Sequence, residues 1–211
     1  ADTVRAKPKA DWRWEAGYNR NIITEFEHVR DYLLRAVYGN WDYLKNASGR
    51  EDFARRQLNW VAYVAGKRES RRLLGDVVLD ELHITDRKEF RDACVTATWG
   101  IDLQYPNPKN AKNFPEPFWA NNTHPHHKPY AIPYRCLYSR NVDNLFMAGR
   151  DISVTHVALG TVRVMRTTGM MGEVVGLAAS MCADEGMLPR GVYRSKLDEL
   201  KELLVEGVPE V

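Results

Sequence analysis

The chain has 211 residues, 44% of them hydrophobic, and a net charge of +2. That is enough for one large domain or two small ones with a real core, and too mild a charge, with no block of like sign, to suggest nucleic acid. Cys94, Cys136 and Cys182 lie far apart with no CxxC pair, which excludes a disulfide framework or zinc ribbon. No apolar run reaches the roughly 18 residues a membrane helix needs, so no membrane partner is expected. The composition suits a soluble bacterial-type protein, cytoplasmic or exported. The start at Ala1-Asp2-Thr3, without Met or leader, reads as a cut inside a longer protein.

In chain order, residues 1–20 turn from polar to aromatic, with Trp12, Trp14 and Tyr18. Thr24 with Glu27 reads as a capping box opening a helix near 23–45. Its apolar face is Ile23, Phe26, Val29, Leu33, Val37 and Trp41, at steps of three and four. A short helix is predicted over 51–63, carrying Phe53, Leu58 and Trp60. The block Gly66-Lys-Arg-Glu-Ser-Arg-Arg-Leu-Leu-Gly75 and the following Asp76–Asp80 read as strand, bent at Gly75. A helix is expected from Thr85 through Phe90, Cys94 and Ala97. Residues 105–129, rich in proline and asparagine, should be the least regular part. Strands follow at 130–138, with Pro133 at an edge or bulge, and at 144–148. A long helix is predicted over 157–184. A last helix capped by Ser195 and Asp198 carries Leu197, Leu200, Leu203 and Leu204.

Chemistry concentrates in two places. The first is the run Ala148-Gly-Arg-Asp-Ile-Ser-Val-Thr-His156 and the helix behind it. Gly149 lets backbone approach a ligand closely, Asp151 can accept hydroxyls or hold an arginine, and a helix start near Thr155 offers free N–H groups. His156 suits proton transfer, although a histidine that merely caps the helix fits almost as well. Gly169, Gly172 and Gly176 would allow close packing of the long helix. The second place is Gly66–Arg72, where four cations in a short run suit anion binding. In an extended segment Arg68, Ser70 and Arg72 share one face and Lys67, Glu69 and Arg71 the other. The competing reading is a solvated basic strand paired with acids. His124, His126 and His127 read as surface loop rather than metal ligands, since no carboxylate or cysteine lies near at a recognised spacing.

Residues 148–179, the 66–72 block and the Trp12–Gly17 aromatic run together resemble the FAD-dependent oxidoreductase family, and the resemblance extends over roughly residues 11–204. It implies an α+β fragment of a two-domain flavoprotein with a glutathione-reductase-like or fumarate-reductase-like FAD domain. On that basis residues 1–129 form the helical and β substrate-cap region, residues 130–190 the C-terminal part of the FAD-binding domain, and residues 191–211 a C-terminal helix. The Rossmann half with its G-x-G-x-x-G loop is missing from this sequence and would be a partner supplied by the same longer protein. The resemblance implies FAD in the parent and little or no FAD on the fragment. It implies cofactor-binding positions at Gly149, Arg150, Asp151, Ser153, Ala158, Gly160, Thr161 and Arg163, no metal, and catalytic positions at His156, Arg68 and Arg72. The expected reaction of the parent is hydride transfer from a polar, anionic small-molecule substrate to flavin, the fragment alone being inactive. Two other readings stay open at this point: a polysaccharide lyase-like carbohydrate-active protein without flavin, and a non-catalytic binding module.

Overall fold

The computed structural model describes residues 14–67, 69, 71–110, 114–125 and 127–206. Arg68, Ser70, His126 and Trp12 lie outside the described residues. In chain order the elements are α1 (Phe26–Asp42), which runs into a π-helical turn (Tyr43–Ala47), α2 (Glu51–Ala54), α3 (Glu81–Thr85), β1 (Ala93–Ala97) and β2 (Leu103–Pro106). A 3-10 turn (Pro108–Asn110), β3 (Ala120–Thr123), β4 (Tyr130–Pro133) and a second 3-10 turn (Tyr134–Cys136) follow. The chain closes with α4 (His156–Val162), α5 (Met165–Glu185), α6 (Pro189–Ser195) and α7 (Leu197–Glu206). Among the described residues the strands form two two-stranded sheets, β1 with β4 and β2 with β3. The class is α+β, as expected from the sequence.

The chain divides into two units, one drawn from Ala1–Arg68 and Gln104–Asn122, the other from Glu69–Leu103 and Thr123–Val211. The first is built on α1 and a small aromatic core. Tyr32 and Phe118 are buried there, with Trp14, Phe114 and Trp119 packed around them. Arg20 and His28 converge on Glu116, at 2.5 and 2.7 Å.

The start of α1 differs from the expected capping box. Glu25 precedes the first turn without a side-chain cap. Asn21 organises the entry instead: its Oδ1 accepts the N–H groups of Ile23 and Thr24 at 3.0 and 3.3 Å, and its own N–H donates to Glu25 at 2.8 Å. A short amide side chain that bonds backbone two residues on outcompetes the Thr24–Glu27 pairing. The helix expected over 51–63 is only α2. Lys45 donates to the carbonyls of Ala54 and Arg56, at 3.0 and 2.7 Å, and closes it there. Trp60 consequently stays 77% exposed.

In the second unit β1 and β4 pair antiparallel, from Ala93 opposite Pro133 to Ala97 opposite Tyr130. Their apolar side lies under α5, which also packs on α6 and α7. The core joins Val95, Ala97, Ile132, Tyr134, Met171 and Val174. The helix expected from Thr85 to Ala97 is therefore corrected. Asp80 caps α3 with His83 in a reciprocal box, the chain turns at Arg87 with φ +50°, and residues 93–97 extend. Buried Val95 and Ala97 alternate with exposed Thr96, a period of two that a strand partner can use.

Two strand expectations also change. Residues 71–79 form no ladder; they join the second unit through single hydrogen bonds and one parallel bridge, Leu79 with Val154. Residues 144–148 contribute only an isolated bridge, Tyr138 with Phe146. The strand at 130–138 ends at Pro133, where the 3-10 turn begins. The helix expected over 157–184 is two helices, α4 and α5. Val164 is extended, with ψ 149°, between them, in a β-branched run (Thr161, Val162, Val164) that has the least to lose by leaving a helix.

α5 buries Thr167, Met171, Val174, Ala178 and Met181, a stripe at alternating steps of four and three. The small residues sit elsewhere on it. A Cβ placed at Gly169, Gly172 or Gly176 meets nothing within 4 Å, so the close packing expected of these glycines does not occur within the described chain.

Candidate cofactor and proton-transfer site

The site starts from backbone. Met147 N–H donates to the Leu137 carbonyl at 2.8 Å, and Ser153 N–H to the Cys136 carbonyl at 3.1 Å. Between these anchors the chain turns at Gly149, with φ +117°, a conformation that L side chains rarely adopt. A Cβ built there meets only Asp151 Oδ1, at 3.9 Å. Ala148 and Arg150 are exposed and Asp151 is half-buried. Gly149 itself is buried between these two exposed neighbours, with room for little more than a Cβ beside it.

The segment leaving the turn is fixed by the end of the basic block. Leu73 N–H donates to the Asp151 carbonyl at 2.8 Å, Leu79 N–H to the Ser153 carbonyl at 3.0 Å, and Thr155 N–H to the Leu79 carbonyl at 2.9 Å. Thr155 then caps α4, its Oγ1 accepting the Ala158 N–H at 3.3 Å. His156 is the first residue of that helix, with 63% of its side chain exposed.

Glu69 joins the two regions. Its Oε2 lies 2.7 Å from His156 Nδ1, and its Oε1 pairs with the Arg72 guanidinium. The two-sided strand predicted for this block, with Glu69 and Arg72 on opposite faces, is therefore corrected: the backbone is irregular here, and the two side chains meet. Sequence reasoning assigned Glu69 no role. Its one signal was an acid set alone among cations.

Of the remaining predicted positions, Thr161 and Arg163 have hydrogen-bond partners inside the protein. Thr161 is buried; its hydroxyl donates to the Trp99 carbonyl at 2.5 Å and accepts from Tyr130 at 3.0 Å. Burial pushes the Tyr130 phenol up to about 12, so it stays a neutral donor. Arg163 donates to the Asp102 carbonyl at 3.1 Å and pairs with its carboxylate at 3.3 Å. Gly160 lies against the Asp102 backbone, where a Cβ would come to 3.1 Å of the carbonyl oxygen. Ala158 is fully buried, and so is the Ser153 hydroxyl, which has no hydrogen-bond partner. These residues lock α4 onto residues 99–102. The exposed residues of the site are Arg150 and His156, with Asp151 half-buried.

A second ionic cluster joins Asp76, Tyr138 and Arg190. Arg190 grips Asp76 at 2.8 and 2.9 Å, and Tyr138 donates to the same carboxylate at 2.7 Å. Arg190, more than Tyr138, holds the Asp76 carboxyl below its usual range. Among the thiols, burial pushes Cys136 up to about 12 and Cys94 higher still, so neither is a thiolate nucleophile. No group of His, Cys, Asp and Glu able to hold a metal occurs among the described residues. His124 stacks on Trp99 with ring centroids 4.7 Å apart.

The model of one family, FAD dependent oxidoreductase, matches residues 4–204. The chain belongs to that family, and FAD is the cofactor that membership implies. Comparison with curated proteins and with solved structures gave no match. No helix among the described residues is long and apolar enough to cross a membrane.

The residues present fit such a cofactor in one respect. Gly149, at positive φ with open space where a side chain would stand, is a place where main chain can meet a flat polar ring or a ribityl chain.

Proposed function

We propose that this chain is the C-terminal part of a two-domain FAD-dependent oxidoreductase that oxidises a polar, anionic small molecule. The observation that carries the proposal is the positive φ of Gly149, where a Cβ would meet only Asp151 Oδ1 at 3.9 Å, at the start of the run that ends at His156. Gly149, Arg150 and Asp151 would hold the cofactor through backbone and carboxylate. Gly160, Thr161 and Arg163 keep α4 in place through their contacts with residues 99–102, and Ala158 is buried in the same helix. When bound, FAD supplies the acceptor for a hydride leaving a substrate C–H bond. His156 takes up or returns the accompanying proton. Arg72, whose charge Glu69 partly offsets, favours an anionic substrate together with Arg68.

The sequence contains no G-x-G-x-x-G loop. We place that loop in a segment preceding Ala1, whose Rossmann half covers the open glycine face of α5. Residues 1–129 then serve as the substrate cap and 130–190 as the returning part of the FAD domain, closed by the helix in 191–211. By itself the chain lacks the site for the ADP portion of the cofactor and is inactive.

The test is Gly149→Val in the whole protein. The variant is expected to lose FAD while still folding, as read by flavin absorbance and circular dichroism. Full flavin content in a folded Gly149→Val protein removes the turn from the cofactor site.

A further inference from the structure

We infer that Glu69 is the positioning residue for His156: its carboxylate accepts the Nδ1–H and leaves Nε2 as the nitrogen that exchanges a proton with substrate. This rests on the reading of His156 as the proton-transfer residue. The geometry is specific. The two residues are 87 positions apart in the chain, yet Glu69 Oε2 and His156 Nδ1 are 2.7 Å apart. An ionised carboxylate can only accept, so the neutral ring carries its proton on Nδ1 and its lone pair on Nε2. Water alone does not impose that choice on an imidazole that is 63% exposed.

Arg72 completes the arrangement. It binds the other oxygen of Glu69 and so fixes the plane of the carboxylate. A glutamate on an irregular segment has several rotatable bonds and loses rotamer entropy when ordered; two partners, one on each oxygen, restrict it where one would not. The backbone bond from Leu73 to Asp151 fixes the segment itself. The other charged groups on elements bordering α4 are Asp151 in the turn, Asp80, Glu81 and His83 around α3, and the Asp102–Arg163 pair. Among these, His83 pairs with Asp80 at 3.0 Å and Arg163 with Asp102 at 3.3 Å. The His156 ring meets the Glu69 carboxylate. Once a proton has passed to Nε2, the imidazolium faces the Glu69 carboxylate and the charge is balanced locally.

The experiment is nitrogen NMR of the histidine rings in the folded whole protein, with His156 assigned from a His156→Gln spectrum, paired with steady-state kinetics. The wild type should show His156 as the Nδ1–H tautomer. Glu69→Gln should lose that preference and lower kcat by at least about tenfold while KM stays within about twofold. Glu69→Asp should restore part of both. A wild-type ring protonated on Nε2 overturns the proposal without any variant. An unchanged tautomer in folded Glu69→Gln overturns it as well. His156→Gln with undiminished kcat sinks the proton-transfer reading alone, and is told apart from failure of the positioning because the wild-type tautomer is read independently of turnover.

Discussion

The Leu73 N–H donates to the Asp151 carbonyl at 2.8 Å. That bond places the end of the basic block directly beside the glycine turn. The part of that block from Glu69 onward and the turn, about eighty residues apart in the chain, are therefore neighbours in one unit of the fold. Everything proposed for the site depends on that adjacency and on the geometry of the turn it supports.

The turn has a conformational cost that can be measured. Gly149 holds φ +117°, and a residue with a Cβ is strained there whatever the space around it. Gly149→Ala is expected to destabilise the folded chain by about 1–3 kcal/mol in denaturant unfolding. A change within about 0.5 kcal/mol, the range of a neutral surface substitution, would mean that the turn relaxes freely.

Under α4 the critical group is the Thr161 hydroxyl, which bridges Tyr130 and the Trp99 carbonyl. Thr161→Val keeps the shape and leaves both partners buried without it. The expected loss is about 1–3 kcal/mol. Tyr130→Phe removes one end of the same network, so the double variant should cost less than the sum of the two. Strict additivity would show that the two hydroxyls act independently.

Gly160 tests the packing rather than the cofactor. Because a Cβ there comes within 3.1–3.3 Å of the Asp102 backbone, Gly160→Ala is expected to cost about 1–3 kcal/mol through overpacking. A bulky residue should cost more, flavin or no flavin. Backbone, not a flexible side chain, stands in the way, so the cost falls on the apo protein as well. An unaltered melting temperature in Gly160→Ala would show that residues 101–102 can shift.

The sequence made the class legible, along with the existence of α1, a helix start near Thr155 and the neighbourhood of the last helix. These depend on local signals: apolar periodicity and short side chains that bond nearby backbone. What it concealed depended on partners far along the chain. β1 read as helix because Ala93, Cys94 and Ala97 also suit a helix face, and only the ladder with β4 decides between the two. The long helix divides at Val164, in a β-branched run, and residues 99–102 engage Thr161 and Arg163 on its N-terminal side. At the site, Gly149 and His156 were visible as residue types in a motif. Glu69 was not, because its meaning lies in contacts with Arg72 three residues on and His156 far away.

The Asp76–Arg190 pair gives the chain a defined acid response. Arg190 lowers the folded-state value of Asp76 relative to the unfolded chain, so the stabilisation is present above the ordinary carboxylate range, about 4. It is lost as pH falls through the lower folded value. Asp76→Asn should therefore be less stable than the wild type at neutral pH, and the two curves should converge at low pH. Parallel curves of unfolding free energy against pH would contradict this.

The central claim is that Gly149–His156 belongs to a flavin site completed by a segment preceding Ala1. The most direct measurement is the flavin content of the native polypeptide, compared with that of residues 1–211 expressed by themselves. The account predicts stoichiometric FAD in the first and little or none in the second, both folded. A folded native polypeptide without flavin, or full FAD occupancy in residues 1–211 alone, would contradict it.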